Sequence, residues 1–195
     1  MTANLIICLL DTNHHDRDAF DCGEPALNEY LQKMARQHLK KGIANTYVLV
    51  NQSESQRILG FFTLSFLEVD LSEVPEKYGK KLPRLHLPAV KLGRLAVDKS
   101  CQGKNYGRLL LVDAMRRVAA AIRNTAGVVG LFVNAKNQNV AAFYEKFGFI
   151  PLRYNLFSLM IPQQTILGLF PDKTPSGHPG ESLCYSQARE NQDRL

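Results

Sequence analysis

The sequence predicts an α/β (α+β) protein built on a mixed central sheet with helices on both faces. Strand-like and helix-like runs follow one another in the order β-α-β-β-β-α-β-α-β, which neither a helix bundle nor a plain antiparallel sandwich would give. At 195 residues with 45% hydrophobic content, the chain can bury one substantial core. The stretch GRLAVDKSCQGKNYGRLLL, residues 93–111, passes from an apolar strand through a polar turn with two glycines into a helix.

The elements follow in order. LIICLL (5–10) reads as a buried first strand, and the polar DTNHHDRDAFDCGEP as a loop that ends at a helix start. Pro25 suits the first helical turn, where its missing N–H costs nothing. From there Leu27, Tyr30, Leu31, Met34 and His38 recur at amphipathic spacing, and Gly42 is the expected stop. TYVLVNQ (46–52) and RILGFFTLSFLEV (57–69) read as a hairpin across the polar SES. The proline- and lysine-rich run 71–88 reads as a surface connection, and AVKLGRLAV (89–97) as the next strand. Residues 105–123 read as a helix with Leu111, Met115, Val118 and Ile122 on one face, and VVGLFV (128–133) as a buried strand. In NQNVAAFYEKFGF, Asn137 opens a short helix that closes at Gly148; NLFSLMI (155–161) gives a last strand, and QTILGLF a further short element. Residues 171–195, rich in Pro, Gly, Ser and charge, read as a mobile tail after a domain spanning 1–170.

Composition narrows the function classes. The net charge of +6 favours a polyanionic partner. Two basic windows, 33–41 (Lys33, Arg36, Lys40, Lys41) and 77–94 (including Arg84 and Arg94), contain no Asp or Glu, which suggests an anion-binding surface. Cys8, Cys22, Cys101 and Cys184 lie far apart without zinc spacing, so free thiols and no metal are expected, and His14 and His15 carry no ligand pattern. No stretch approaches the roughly 20 apolar residues of a membrane span. LIICLL has no preceding Lys or Arg and is short for a signal peptide, so a soluble cytoplasmic protein without membrane contact is expected.

A turn that leads into a helix offers unpaired N–H groups and the positive end of the helix dipole, so QGKNYGR is suited to phosphate. No Gly-Lys-Ser/Thr follows, which excludes a Walker A loop, and GxGxxG is missing. LGRLAVDKSCQGKNYGRLLL together with VNAKNQNVAAFYEKFGFIPL resembles the GCN5-related N-acetyltransferases, the GNAT family. FDCGEPALNEYL and LGRLAV narrow the resemblance to the acetyltransferase toxins of bacterial toxin–antitoxin pairs, over about residues 3–170.

That resemblance implies acetyl-CoA as co-substrate, the α-amine of aminoacyl-tRNA as acceptor, and blocked translation as outcome. An acetyltransferase acting on a small-molecule or protein amine is the alternative, and a non-catalytic acetyl-CoA-binding regulator is a third reading, against which the retained Tyr144 argues. The resemblance also implies a cognate ribbon-helix-helix antitoxin, and homodimers are common in the family. It places the pantetheine arm on Leu95, Ala96 and Val97 in a splayed parallel strand pair, and the pyrophosphate on amides of Gln102, Gly103, Lys104, Asn105, Tyr106, Gly107 and Arg108. Asn105 stands where the loop's first motif glycine is expected, and Asn tolerates the left-handed conformation better than other non-glycine residues. Tyr144 matches the tyrosine that protonates the departing thiolate. Asn137 matches a polar residue that either contacts the cofactor or caps its helix, and Glu68, ending the third strand where other acetyltransferases often place a base, reads as a solvated carboxylate. The tRNA surface is assigned to Lys33, Arg36, Lys40, Lys41, Arg84 and Arg94.

Overall fold

The computed structural model describes residues 4–79, 86–124 and 127–171. Arg84 and nearly all of the proposed tail, 172–195, lie outside the described residues. Seven strands form one sheet: β1 (Leu5–Leu9), β2 (Asn45–Asn51), β3 (Gly60–Val69), β4 (Leu87–Val97), β5 (Gly130–Asn134), β6 (Ile150–Pro151) and β7 (Ser158–Pro162), in the spatial order β1-β2-β3-β4-β5-β7-β6. Every pair is antiparallel except β4 and β5, which run parallel.

Alternating side chains split the strands between two faces. On one face Leu49, Phe62, Val90, Leu92, Leu131, Val133, Leu159 and Ile161 pack against the helices α4 (Tyr106–Asn124), α5 (Gln138–Glu145) and α6 (Gln163–Leu169). The predicted α4 stripe is observed: Leu111, Met115 and Val118 are buried and Ile122 packs against the same core. The opposite face carries two separate clusters. Val48, Val50, Phe61 and Ala96 pack on Tyr30, Leu31 and Ala35 of the first helical region, while Val69, Ala89, Phe132 and Met160 form the other cluster with Val74 and Leu152.

The first helical region departs from the expected stripe. It consists of α1 (Pro25–Glu29), a π-helical turn over Tyr30–Met34, and α2 (Ala35–Lys40). The Ala35 amide donates to the Tyr30 carbonyl five residues back, so one residue is added to the turn. The inward phase therefore slips by one position: Ala35 is fully buried, whereas Met34, predicted for the core, is 42% exposed. Gly42, with φ of +65°, ends the region as expected. The connection after β3 holds a 3-10 turn at Leu71–Glu73 and the short α3 (Glu76–Gly79).

Candidate functional site

β4 and β5 begin as partners and then part. Their pairing covers only Val90–Leu92 against Leu131–Val133. Beyond it, β4 stays with β3, and Asn134 of β5 stays with Ser158 of β7. Gly93 supplies the cause: Leu92 faces Leu64 and Arg94 faces Thr63, so Gly93 is the extra residue of a bulge. A bulge bends and twists its strand, and this one lies where the two strands diverge. The cleft so formed leaves the backbone groups of Leu95 and Val97 that face away from β3 without a strand partner among the described residues. The Val97 carbonyl is already taken, by the Gln102 side-chain amide at 3.1 Å.

The turn after β4 is tightly built. The Asp98 carboxylate accepts the Ser100 amide at 3.0 Å and its hydroxyl at 2.6 Å, folding Lys99–Cys101 into a 3-10 turn. Gly103 and Asn105 then adopt positive φ, +80° and +62°, so Asn105 holds the left-handed conformation required where a glycine was expected. The amides of Gly103, Lys104, Asn105, Tyr106, Gly107 and Arg108 find no protein acceptor among the described residues. The last three form the first turn of a 19-residue helix, where unpaired N–H groups and the helix dipole favour an anion. No acidic side chain lies between residues 99 and 112, and Lys104 and Arg108 are exposed. These residues fit a pyrophosphate. A Cβ placed on Gly107 would stand 3.9 Å from both Leu95 and Val97, so this turn packs directly on the free end of β4.

Tyr144 lies in α5, which follows the β5 side of the cleft. Its ring packs against Phe143 and Phe149 with centroids 5.3 and 5.4 Å apart, and it is 6% exposed. Its hydroxyl has no protein hydrogen-bond partner among the described residues. Burial pushes its pKa up to about 12, so the phenol stays protonated and able to donate throughout the neutral range. Of the two roles named for Asn137, capping is observed: its side-chain oxygen accepts the Val140 amide at 3.0 Å at the start of α5.

Glu68 is exposed and lines a cavity of about 380 Å³ beside the parallel pair, with Asp70, Glu73, His86, Lys91 and Asn134. His15 is buried, with its Nδ1 accepting the Asp11 amide, and among the described residues no group of His, Cys, Asp and Glu could hold a metal.

The basic windows are only partly what their composition suggested. Arg36, Lys40 and Lys41 are exposed and without an acidic partner among the described residues. Lys33 pairs with Glu29 at 3.0 Å, one turn before the acid-free window begins. Arg94 is half-buried, its guanidinium 3.6 Å from the centre of the Tyr30 ring, which links β4 to the first helical region.

Sequence reasoning missed the side chains that tie this site together. Asp21 is held well below the usual carboxylate range, at about 2, by the Lys99 ammonium first and then by hydrogen bonds from the Gly23 amide and Asn28. Gln102 donates to the Cys22 carbonyl at 3.0 Å as well as to Val97, so its side chain is a strut. The FDCGEP stretch was visible as a motif, but nothing local says that it reaches residues 98–102.

The profile described as Acetyltransferase (GNAT) domain matches residues 42–151, more than half of the chain. The protein belongs to the GNAT acetyltransferase family. Among its GNAT relatives are a tRNA-acetylating toxin of Mycobacterium tuberculosis, 32% identical over 134 residues covering 69% of this chain and 78% of the relative, and a probable toxin TacT of Sinorhizobium fredii, 27% identical over 86% of this chain and 96% of the relative. A crystal structure of a Tyr-to-Phe mutant of KacT superposes with a TM-score of 0.79 at 37% identity, covering 86% of this chain and 99% of that one. AtaT complexed with acetyl-methionyl-tRNAfMet gives 0.78 at 36% identity, covering 85% and 99%. A Tyr-to-Phe mutant of AtaT bound to acetyl-CoA and the C-terminus of the antitoxin AtaR gives 0.73 at 33%, covering 87% and 99%. The GNAT fold, with its mixed sheet and splayed parallel pair, is therefore the fold expected from the sequence.

Proposed function

We propose that this GNAT protein is a toxin that acetylates the α-amino group of aminoacyl-tRNA and so blocks translation. The run of six free amides at the splayed end of the parallel pair carries the reading, and the likeness to a tRNA-acetylating toxin and to tRNA-bound AtaT supports the choice of acceptor. Acetyl-CoA, when bound, supplies an activated acetyl thioester. The amides of Gly103 to Arg108 receive its pyrophosphate, with Lys104 and Arg108 adding charge, and the open backbone groups of Leu95 and the Val97 amide receive the pantetheine amides. As the α-amine nitrogen bonds to the thioester carbon and the C–S bond breaks, Tyr144 would donate its hydroxyl proton to the departing sulfur, and the proton lost by the amine would restore the phenol, directly or through solvent. An α-amine, with a reference pKa near 7.7 to 8.0, is already partly neutral at working pH, whereas a lysine near 10.4 is not, so Glu68 is not required as a base. Arg36, Lys40 and Lys41 face the nucleic acid, with Lys33, Arg84 and Arg94 as further members of that surface. A ribbon-helix-helix antitoxin as partner, a homodimer and a cytoplasmic location complete the proposal.

The test is incubation with acetyl-CoA and total charged tRNA, followed by mass spectrometry of the aminoacyl species. Acetylated aminoacyl-tRNA supports the reading. Acetylation confined to small-molecule or protein amines overturns it.

A further inference from the structure

The FDCGEP turn touches both sides of the cleft. Toward β4, the Asp21 carboxylate meets the Lys99 ammonium at 2.8 Å, the Lys99 amide donates to the Asp21 carbonyl at 2.8 Å, and the Asp21 amide donates to Asp98 at 3.1 Å. Gln102 adds its bond to the Cys22 carbonyl. Toward β5, Glu24 reaches Lys136 at 2.5 Å. Lys136 is the residue before the α5 cap, and Lys99 to Gln102 directly precede the free amides. The turn is itself stiffened, since Asp21 also accepts from the Gly23 amide and from the Asn28 side-chain amide, whose Oδ1 accepts the Cys22 amide at 3.0 Å. β4 and β5 lose each other as partners after Leu92 and Val133, and the segment that joins their diverging ends is Asp21–Glu24.

We propose that Asp21–Glu24 is a brace across the open end of the β4–β5 cleft, which sets the separation of the pyrophosphate loop from the start of α5 and so makes Asp21 and Glu24 positioning residues for acetyl-CoA. This inference rests on the reading of residues 103–108 as the pyrophosphate site. The brace is unequal. Among the described residues, four links hold the β4 side, while a single ion pair between side chains more than half exposed holds the β5 side. An exposed pair shifts an equilibrium by at most about fivefold. The Glu24–Lys136 link is therefore the adjustable end, and Asp21 the fixed one.

Acetyl-CoA affinity is measured by calorimetric titration of the full chain, with circular dichroism as the check on folding. Glu24→Gln and Lys136→Glu should each weaken binding about three- to fivefold, and the loss should shrink in 1 M salt, where charges act over only about 3 Å. The swap Glu24→Lys with Lys136→Glu should return affinity to within about twofold of the parent, a rescue that a general loss of stability would not give. Asp21→Asn should weaken binding by about tenfold and raise the KM for acetyl-CoA more than it lowers kcat. Should Asp21→Asn fail to fold, the Glu24–Lys136 series decides alone. Parent affinity in the Glu24 and Lys136 variants, or a swap as weak as the single changes, overturns the brace. Gly107→Asp serves as reference: its loss of binding alongside unaffected Glu24 variants rejects the brace alone, whereas unchanged binding in Gly107→Asp rejects the pyrophosphate reading and the brace with it.

Discussion

Replacing Tyr144 by phenylalanine removes one oxygen from a side chain whose surroundings are otherwise apolar. The hydroxyl makes no protein hydrogen bond among the described residues, so the folded state loses none, and stability at pH 7 should stay within about 1 kcal/mol of the parent. Turnover should fall by about 10² or more, the usual cost of removing a positioned acid. Burial keeps the phenol protonated, so kcat should not titrate with this tyrosine in the neutral range.

The same residue makes a stability prediction of known sign. Between the unfolded value near 10 and the folded value of about 12, the native state keeps a proton that the unfolded chain releases. The stabilisation is complete below pH 10 and is lost as pH rises toward 12, by about 3 kcal/mol in all. Denaturant unfolding of parent and Tyr144→Phe at stepped pH should thus show curves that coincide at pH 8 and separate above pH 10, with the variant falling less. Single-turnover acetylation of charged tRNA completes the assay. A variant that turns over within about threefold of the parent would refute the acid assignment. Coincident curves up to pH 12 would refute the burial argument.

Gly107→Asp puts a carboxylate at the helix turn facing Leu95 and Val97 and should weaken acetyl-CoA binding by more than about tenfold, while Asn105→Gly, relieving a positive φ, should bind equally well or more tightly; calorimetry checks both. Reversing Arg36 and Lys40 to Glu should weaken tRNA binding and flatten its salt dependence by about 0.7 to 0.9 for each phosphate no longer neutralised, with acetyl-CoA affinity unchanged, as filter binding across a salt series would show. Leu31→Ala should cost about 2 to 5 kcal/mol in denaturant unfolding, whereas Met34→Ala, outside the core because of the π turn, should cost under about 1 kcal/mol. Equal losses for the two would contradict the phase slip.

The readable part of this protein was its local chemistry. Strand and helix periodicities depend on residues within a turn or two of each other, so six of the seven strands, the α4 stripe and the Asn137 helix start could be placed from the chain alone, while the two-residue β6 gave no periodic signal. The same holds for the turn after β4: Gly103 and the tolerant Asn105 announce positive φ, and a helix following them announces free amides. The assignment of Tyr144 needed the family resemblance, since a tyrosine on a helix face is otherwise an ordinary packing residue. Tertiary structure decided the rest. Whether Met34 or Ala35 faces the sheet turns on one inserted residue in a π turn, which a period of 3.6 cannot signal in advance. Gly93 looks like any strand glycine until its register against Thr63 and Leu64 makes it the bulge at which β4 and β5 part. Lys33 and Arg94 read as free cations because composition does not show Glu29 one turn away or the Tyr30 ring under a guanidinium. The links from Asp21 to Lys99 and from Glu24 to Lys136 join residues 78 and 112 positions apart, and only the packing of the first helical region against the sheet brings those groups within hydrogen-bond reach.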